Sequence, residues 1–306
     1  MDLTARVAVV TGAGRGLGLA YASALAAAGA NVVVNDADSD AAAGVVSRIV
    51  GAGGKAVAEP GAVGPTEVAE RLVERAVEEY GRIDVLVTNA GVLRDRMLWK
   101  MSDEEFDTVL DVHLRGTFTC VRAAVRRMRK QGWENGAGGR IVVVGSPAGQ
   151  RGNIGQTNYS AAKAGIVGMV RTWSMECARA GITVNAIVPV AATAMTATMP
   201  AFAPFIEAWQ NDGVPLPAWL RAGEGFGTPE DAAGLVVFLA SAEAETVTGQ
   251  VIGIGGDKLS LWTHPEEVTV SYRHGGWTAD AIAETWASTV GRNPQQVGIP
   301  APAVPS

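Results

Sequence analysis

The run from Arg6 to Val10 leads straight into Thr11-Gly12-Ala13-Gly14-Arg15-Gly16-Leu17-Gly18 and then an alanine-rich stretch of helical character. No other feature restricts the fold as tightly. An apolar run, spaced glycines and a helical pattern predict strand, tight turn and helix. Gly12, Gly16 and Gly18 let the backbone approach a ligand closely, and the free N–H groups of the helix N-terminus favour a pyrophosphate.

The same alternation continues along the chain. Strands are expected near 6–10, 31–35, 55–58, 83–88, 140–145, 182–188 and 249–254, with helices over 16–29, 38–51, 65–80, 102–131, 157–180 and 229–241. Runs such as Ile83 to Val87 and Ile141 to Val144 are almost continuously apolar. They suit strands covered on both faces, hence an α/β doubly wound parallel sheet of the Rossmann type. A length of 306 residues suggests about two domains. The unbroken alternation predicts one instead, residues 1–256, followed by a C-terminal extension over 257–306. Asn135 to Gly139 is a Gly-rich loop, and the Pro-rich end from Gly291 to Ser306 is expected to be poorly ordered.

Three positions point to proton chemistry. Tyr159 and Lys163 are spaced i, i+4 in a helical stretch, with Ser146 thirteen residues before Tyr159. That spacing puts phenol and ammonium on one helical face. A phenol has a pKa of about 10 and is a poor base, and a neighbouring cation is expected to lower it. Ser146 supplies a hydroxyl that can hold a substrate oxygen against the phenol. The group can exchange a proton with C–OH or C=O and needs a hydride acceptor, which the glycine turn is placed to bind. Asp36, eighteen residues after Gly18, stands where an acid meets an adenosine ribose. A carboxylate there repels a 2′-phosphate and favours NAD over NADP. Arg15 argues weakly the other way, and Asp36 carries more weight because it would sit at the 2′ position.

With these pieces in order, the sequence resembles the short-chain dehydrogenase/reductase family over roughly residues 3–256. The likeness rests on TGAGRGLG (11–18), NAG (89–91), the serine of VGSPAG, YSAAK (159–163), VNAIVP (184–189) and VTGQVIGIGG (247–256). It implies an oxidoreductase. Tyr159 is the general acid/base, Ser146 orients the substrate oxygen, and Lys163 binds nicotinamide ribose while lowering the tyrosine pKa. The cofactor contacts implied are Gly12, Arg15, Gly16, Leu17, Gly18, Asp36, Ala62, Val63, Asn89, Ala90, Gly91, Tyr159, Lys163, Pro189, Val190, Ala192 and Thr193.

Longer stretches, NAGVLRDRML (89–98), DVHLRGTF (111–118), GNIGQTNYSAAKAGIVGM (152–169) and HGGWTADAIAETW (274–286), resemble a narrower branch. This is the dehydrogenase part of peroxisomal multifunctional enzyme type 2. The branch implies NAD-dependent oxidation of a (3R)-hydroxyacyl-CoA, with a fatty or steroid side chain, in β-oxidation. The alternatives are a hydroxysteroid dehydrogenase and an NADPH-dependent 3-oxoacyl or ketone reductase. A catalytically silent NAD-binding regulator is a remote alternative, opposed by the intact Ser146/Tyr159/Lys163 set.

Three positions depart from the family pattern. His113 replaces the usual Asn; it is either a marker of the narrower branch, added to the catalytic set, or a buried, hydrogen-bonded histidine. The Asp expected after the third strand is Gly61 or Ala62, which weakens an adenine contact. Pro-Gly after the sixth strand is Pro189-Val190, and Val has less backbone freedom than Gly. Thr193 and Thr196 are both candidates for the carboxamide or phosphate contact.

The family likeness makes 194–226 the substrate lid. Met195, Met199, Phe202, Phe205, Trp209 and Trp219 there suit a hydrophobic small-molecule substrate, a CoA thioester or a steroid, or else pack on a neighbouring subunit. The extension is expected to pack on the domain or on such a neighbour. Relatives pair through helices corresponding to 102–131 and 157–180, which implies a homodimer or homotetramer.

The net charge of −6 argues against a nucleic-acid partner. The basic run Arg122 to Lys130 is interleaved with Ala, Val and Met, as on a solvated helix face rather than an acyl-CoA phosphate site. No apolar stretch reaches the roughly 18 residues of a membrane span. With no signal peptide, no Ser-Lys-Leu ending and two cysteines in apolar helical segments, Cys120 and Cys177, a cytoplasmic protein with reduced thiols is expected. His113, His264 and His274 are too dispersed for a metal site, so none is expected.

Overall fold

The computed structural model describes residues 1–135 and 138–300. The strands are β1 (Val7–Thr11), β2 (Asn31–Val34), β3 (Lys55–Ala58), β4 (Val85–Thr88), β5 (Arg140–Val144), β6 (Thr183–Pro189), β7 (Val251–Gly255) and β8 (Lys258–Leu261). They form one sheet in the order β3-β2-β1-β4-β5-β6-β7-β8. Neighbours are parallel except β7 and β8, which are antiparallel. The order reverses between β1 and β4, and the crevice beyond their C-terminal ends is where such sheets bind ligands.

The helices are α1 (Gly16–Ala27), α2 (Ser39–Gly51), α3 (Thr66–Tyr80), α4 (Asp103–Leu110), α5 (Gly116–Asn135) and α6 (Pro147–Arg151). They continue with α7 (Thr157–Cys177), α8 (Ala203–Asp212), α9 (Ala218–Ala222), α10 (Pro229–Ala240) and α11 (Ala279–Thr285). The continuous apolar strands have a simple cause. Successive side chains serve opposite cores: Ala8, Val10, Val85, Val87 and Val142 face one, while Val7, Val9, Leu86, Ile141 and Val143 face the other. Alternation is present in space but invisible in the sequence, because both faces are apolar. α1 and α10 cover the first face, with Ala20, Ala22, Ala232 and Ala233 small enough for close packing.

The expected doubly wound sheet is therefore present, with four local differences. The single helix expected over 102–131 is interrupted by a π-helical turn at Asp111–Arg115. The helix expected over 157–180 ends as α7 at Cys177 and finishes in a 3-10 turn. The region 194–226 folds into α8 and α9. Residues just past 256 add β8 to the sheet, so the extension begins as part of it. Farther on, Gly298 N–H donates to the Arg151 carbonyl at 2.7 Å, and Arg151 Nε donates back to the Gly298 carbonyl at 2.9 Å. Of the loop and tail singled out above, 136–137 and 301–306 lie outside the described residues. Cys120 and Cys177 are both free and buried. Among the described residues, no helix is long and apolar enough to cross a membrane.

Candidate active site

β5 ends two residues before Ser146, whose Oγ accepts the Ala148 N–H at 3.2 Å and caps α6. Capping fixes the hydroxyl at the strand terminus. α7 brings Tyr159 beside it and Lys163 one turn on. Both are buried, Tyr159 at 9 % and Lys163 at 3 % exposure. Lys163 Nζ donates to the Val144 carbonyl at 2.5 Å and stands 5.7 Å from the Tyr159 ring centre. The crossing of α6 over α7 depends on Gly149, since a Cβ there would lie 2.6 Å from the Lys163 carbonyl carbon.

The electrostatics correct one expectation. Lys163 was expected to lower the phenol pKa, but burial is the larger influence and raises it, against the opposing pull of the Ser146 side chain. The same burial takes Lys163 from 10.5 down to about 7. Desolvation penalises each isolated charge. Near neutrality the phenol is protonated and the amine is partly neutral. Burial thus moves both groups toward their neutral forms.

Asn158, which sequence reasoning missed, positions this unit. It is fully buried, donates from Nδ2 to the carbonyls of Arg94 (3.1 Å) and Glu105 (3.0 Å), and accepts the Tyr159 N–H at 2.7 Å. The only available signal was a polar residue just before the tyrosine. The π-helical turn sets His113 on another side of Tyr159, ring edge to face at 5.1 Å and 86°. His113 Nε2 is 2.8 Å from the Val92 carbonyl and 3.1 Å from the Val92 N–H, so either neutral tautomer bonds to this backbone. Nδ1 is buried without a partner, and burial, with Lys163 second, brings the pKa down to about 3. His113 thus has the geometry of a buried, neutral, hydrogen-bonded side chain against the tyrosine.

At the crevice, Gly12 and Gly16 have φ of 61° and 53°, in the region that favours glycine. A Cβ on Gly18 would stand 2.1 Å from the Gly12 carbonyl oxygen. Asn89 Nδ2 donates to the carbonyls of Thr11 (3.1 Å) and Gly12 (2.8 Å), tying β4 to the turn. Thr11 Oγ1 accepts the N–H groups of Asn89 and Ala90. Gly91 lies against His113, where a Cβ would be 2.3 Å from Cε1. Asp36 is buried; Oδ2 accepts the Gly14 N–H at 2.9 Å and Oδ1 accepts the Asp38 N–H at 3.1 Å. These bonds aim the carboxylate at the turn and leave acceptor capacity for ribose hydroxyls.

The remaining positions divide. Arg15 is exposed and Leu17 is half-buried against the core. Ala62 is exposed beside the crevice, whereas the Val63 side chain is buried among α3 and α5, leaving only its backbone for a ligand. Asn35, also missed, holds this loop by donating to the carbonyls of Glu59 and Gly61. Pro189 and Val190 continue β6, with Val190 N–H donating to Ile254 at 2.9 Å. Ala192 is buried in the lid. Thr193 faces the glycine turn, with Cγ2 3.7 Å from where a Gly16 Cβ would stand. Thr196 Oγ1 instead donates to the Ala191 carbonyl at 2.8 Å, supporting Thr193 from behind. The turn from Gly12 to Gly18, which positive φ at Gly12 and Gly16 and the tight seat of Gly18 reserve for glycine, fits the close approach of a dinucleotide's phosphates.

The lid has a core of its own, in which Phe202 stacks on Phe226 at 4.4 Å and Phe205 meets Trp219 edge to face at 5.6 Å. Four of its aromatic rings are therefore packed on one another. An isolated bridge, Ala191 to Gly227, pairs the segments that enter and leave the lid, and Arg221 ties α9 to Asp231 (2.8 Å) and Asp257 (2.9 Å).

Glycine turn, aspartate, Asn89 and the Ser/Tyr/Lys set on a doubly wound sheet define a nucleotide-dependent oxidoreductase. The short chain dehydrogenase family model matches residues 6–203, and the chain belongs to that family. The chain is 41 % identical over 305 residues to hydroxyacyl-CoA dehydrogenase ChsB1 of Mycobacterium tuberculosis, covering 96 % of this chain and 92 % of that protein. It is 42 % identical over 257 residues to a 3-oxoacyl-[acyl-carrier-protein] reductase of Synechocystis, covering 83 % and 97 %. Peroxisomal multifunctional enzyme type 2 of Drosophila melanogaster is 46 % identical over 200 residues, which is 62 % of this chain and 32 % of that protein. The crystal structure of a short chain dehydrogenase from Mycobacterium avium superposes with a TM-score of 0.82 at 37 % identity, covering 98 % and 99 % of the two chains. The protein is an enzyme acting on CH–OH, and its fold is one that binds a nicotinamide dinucleotide.

Proposed function

We propose that the enzyme oxidises the secondary alcohol of a (3R)-3-hydroxyacyl-CoA, bearing a fatty or steroid side chain, to the 3-oxo thioester with NAD. The carrying observation is the convergence of Ser146, Tyr159 and Lys163 at the end of β5, beside a crevice whose ribose position is held by Asp36. The relative from Mycobacterium tuberculosis, matched over nearly the whole of both chains, supports the substrate class. NAD, when bound, takes the hydride from the carbinol carbon. Ser146 holds the substrate oxygen while Tyr159, in the phenolate form that is scarce near neutrality, takes its proton and becomes the phenol. Lys163 offsets the negative charge that the buried phenolate would otherwise carry alone, and Asn158 and His113 keep the tyrosine in place. The lid, with its separate apolar core, covers an acyl chain and excludes water.

A second reading has two observations in its favour. Burial keeps Tyr159 protonated at neutral pH, the form that donates to a ketone oxygen, and one relative is named as a reductase. Oxidation is accordingly expected to quicken as pH rises, and reduction as it falls. The test is NADH formation from (3R)- and (3S)-3-hydroxyacyl-CoA beside 17β-hydroxysteroids, with NAD and NADP. Turnover confined to the (3R) thioester with NAD is expected. Turnover of free steroids alone, or NADP preferred over NAD, would overturn the proposal.

A further inference from the structure

The loop after β4 carries side chains that the chemistry above does not use. It borders a cavity of about 560 Å³ whose lining includes Arg94, Arg96, Lys100, Ser102, Glu104 and Glu105. The backbone of its lining is tied to the segment that carries the tyrosine. Asn158, next to Tyr159, bonds to the carbonyls of Arg94 and Glu105, and Arg96 N–H donates to the Gly155 carbonyl at 2.8 Å. Thr108, also in the lining, precedes Val109, which packs with Tyr159.

The charges within it are unequal in availability. Arg96 is paired with Glu105 at 2.8 Å, and Glu105 also accepts the Ser102 N–H. Among the described residues, Arg94 and Lys100 are in no ion pair; Arg94 donates to the Leu93 carbonyl at 2.7 Å, and Glu104 shares the lining with them. Trp99, which precedes Lys100 in the chain and lies outside that lining, is 73 % exposed, an unusual cost for an indole unless something covers it. Two cations outside any ion pair on one cavity, with an open indole adjoining one of them in the chain, are the chemistry that recognises a nucleotide: cations for phosphates and a ring to stack on a base.

We infer that Arg94, Trp99 and Lys100 form the binding site for the adenosine-phosphate end of coenzyme A, with the thioester arm leading from there to Ser146 and Tyr159. The inference rests on the thioester reading proposed above. A concave site suits a compact phosphate group better than the surface of a carrier protein. Asp103 and Asp107, on the exposed side of α4 and outside that lining, oppose the broad surface of an acidic carrier protein.

The test compares a (3R)-3-hydroxyacyl-CoA with the same acyl group on N-acetylcysteamine, which lacks nucleotide and phosphates, in wild type, Trp99→Ala and Arg94→Ala/Lys100→Ala. Each variant is expected to raise KM for the CoA ester about tenfold, the scale of one lost stack or phosphate contact. The N-acetylcysteamine ester should keep its KM, and kcat should hold for both. Added salt should raise the CoA-ester KM in wild type and much less in the double variant.

Equal losses on both esters, with a changed oligomeric state by light scattering, would make Trp99 a contact between copies and overturn the inference. A wild type that treats the two esters alike would overturn it too while leaving the thioester reading intact. A loss seen only with a carrier-protein-bound substrate would replace it with a protein docking site. Failure of the wild type on every thioester, alongside turnover of free steroids, would remove the thioester reading and this site together.

Discussion

Two buried residues, Asp36 and Lys163, show how much one position can set. Asp36 spends each carboxylate oxygen on one backbone N–H, so its orientation is fixed before any ribose arrives. Wild-type kcat/KM is therefore expected to be at least about tenfold higher with NAD than with NADP, because a 2′-phosphate beside a fixed carboxylate costs a like-charge repulsion. Asp36→Ala should narrow that ratio, and matched steady-state kinetics with both cofactors would show it. An unchanged ratio would mean that Asp36 does not face the ribose.

Lys163 makes a prediction about stability. Its folded pKa is about 7 against 10.5 unfolded, so between these values the unfolded chain binds a proton that the folded one does not. Folding stability must then rise with pH from about 7 to 10.5, and the penalty is fully present below that window. Denaturant midpoints for wild type and Lys163→Met across that range should converge as pH rises. Parallel curves would show that the amine is charged in the folded state.

At the scale of elements, the site depends on how closely α6 crosses α7. Gly149→Ala puts a methyl against the Lys163 backbone, so α6 must shift and carry the Ser146 cap with it. A loss of about 1–3 kcal/mol, typical of overpacking, is expected by chemical denaturation, together with lower kcat. Full stability and turnover would mean that the crossing can widen freely.

Elements also mark where sequence was enough and where it was not. The strands and main helices were legible because the apolar runs are long and their breakers sit at the turns. The π-helical turn at Asp111–Arg115 was not, since no Pro or Gly in that turn signals it; it follows from seating His113 against Gly91 and Tyr159. The helices of the lid were hidden by prolines and exposed polar residues, and only their own small core stabilises them. Asn158 and Asn35 were missed for a related reason. Their task is to satisfy backbone groups of loops distant in sequence, which no local pattern encodes.

For the whole molecule, the sheet does the assembling. The strand order reverses between β1 and β4, which opens the crevice, and β5 ends beside it with Ser146. One scaffold thereby brings together residues 12 to 193 of the chain. The glycine turn, Asp36, Asn89 and Ser146 were readable because each is a short pattern at a strand end, and Tyr159 and Lys163 because their spacing is one helical turn. The pKa balance of Tyr159 and Lys163 was not readable, because burial depends on everything packed around them and not on their spacing.

The most direct test of this account is the turnover of Tyr159→Phe beside wild type, with NADH binding followed by fluorescence. The substitution removes the one oxygen that exchanges the substrate proton and leaves the ring that packs on His113 and Val109. kcat should fall at least about a hundredfold, the scale of lost general acid–base catalysis, with cofactor affinity nearly unchanged. A variant that keeps wild-type turnover would contradict the account at its centre.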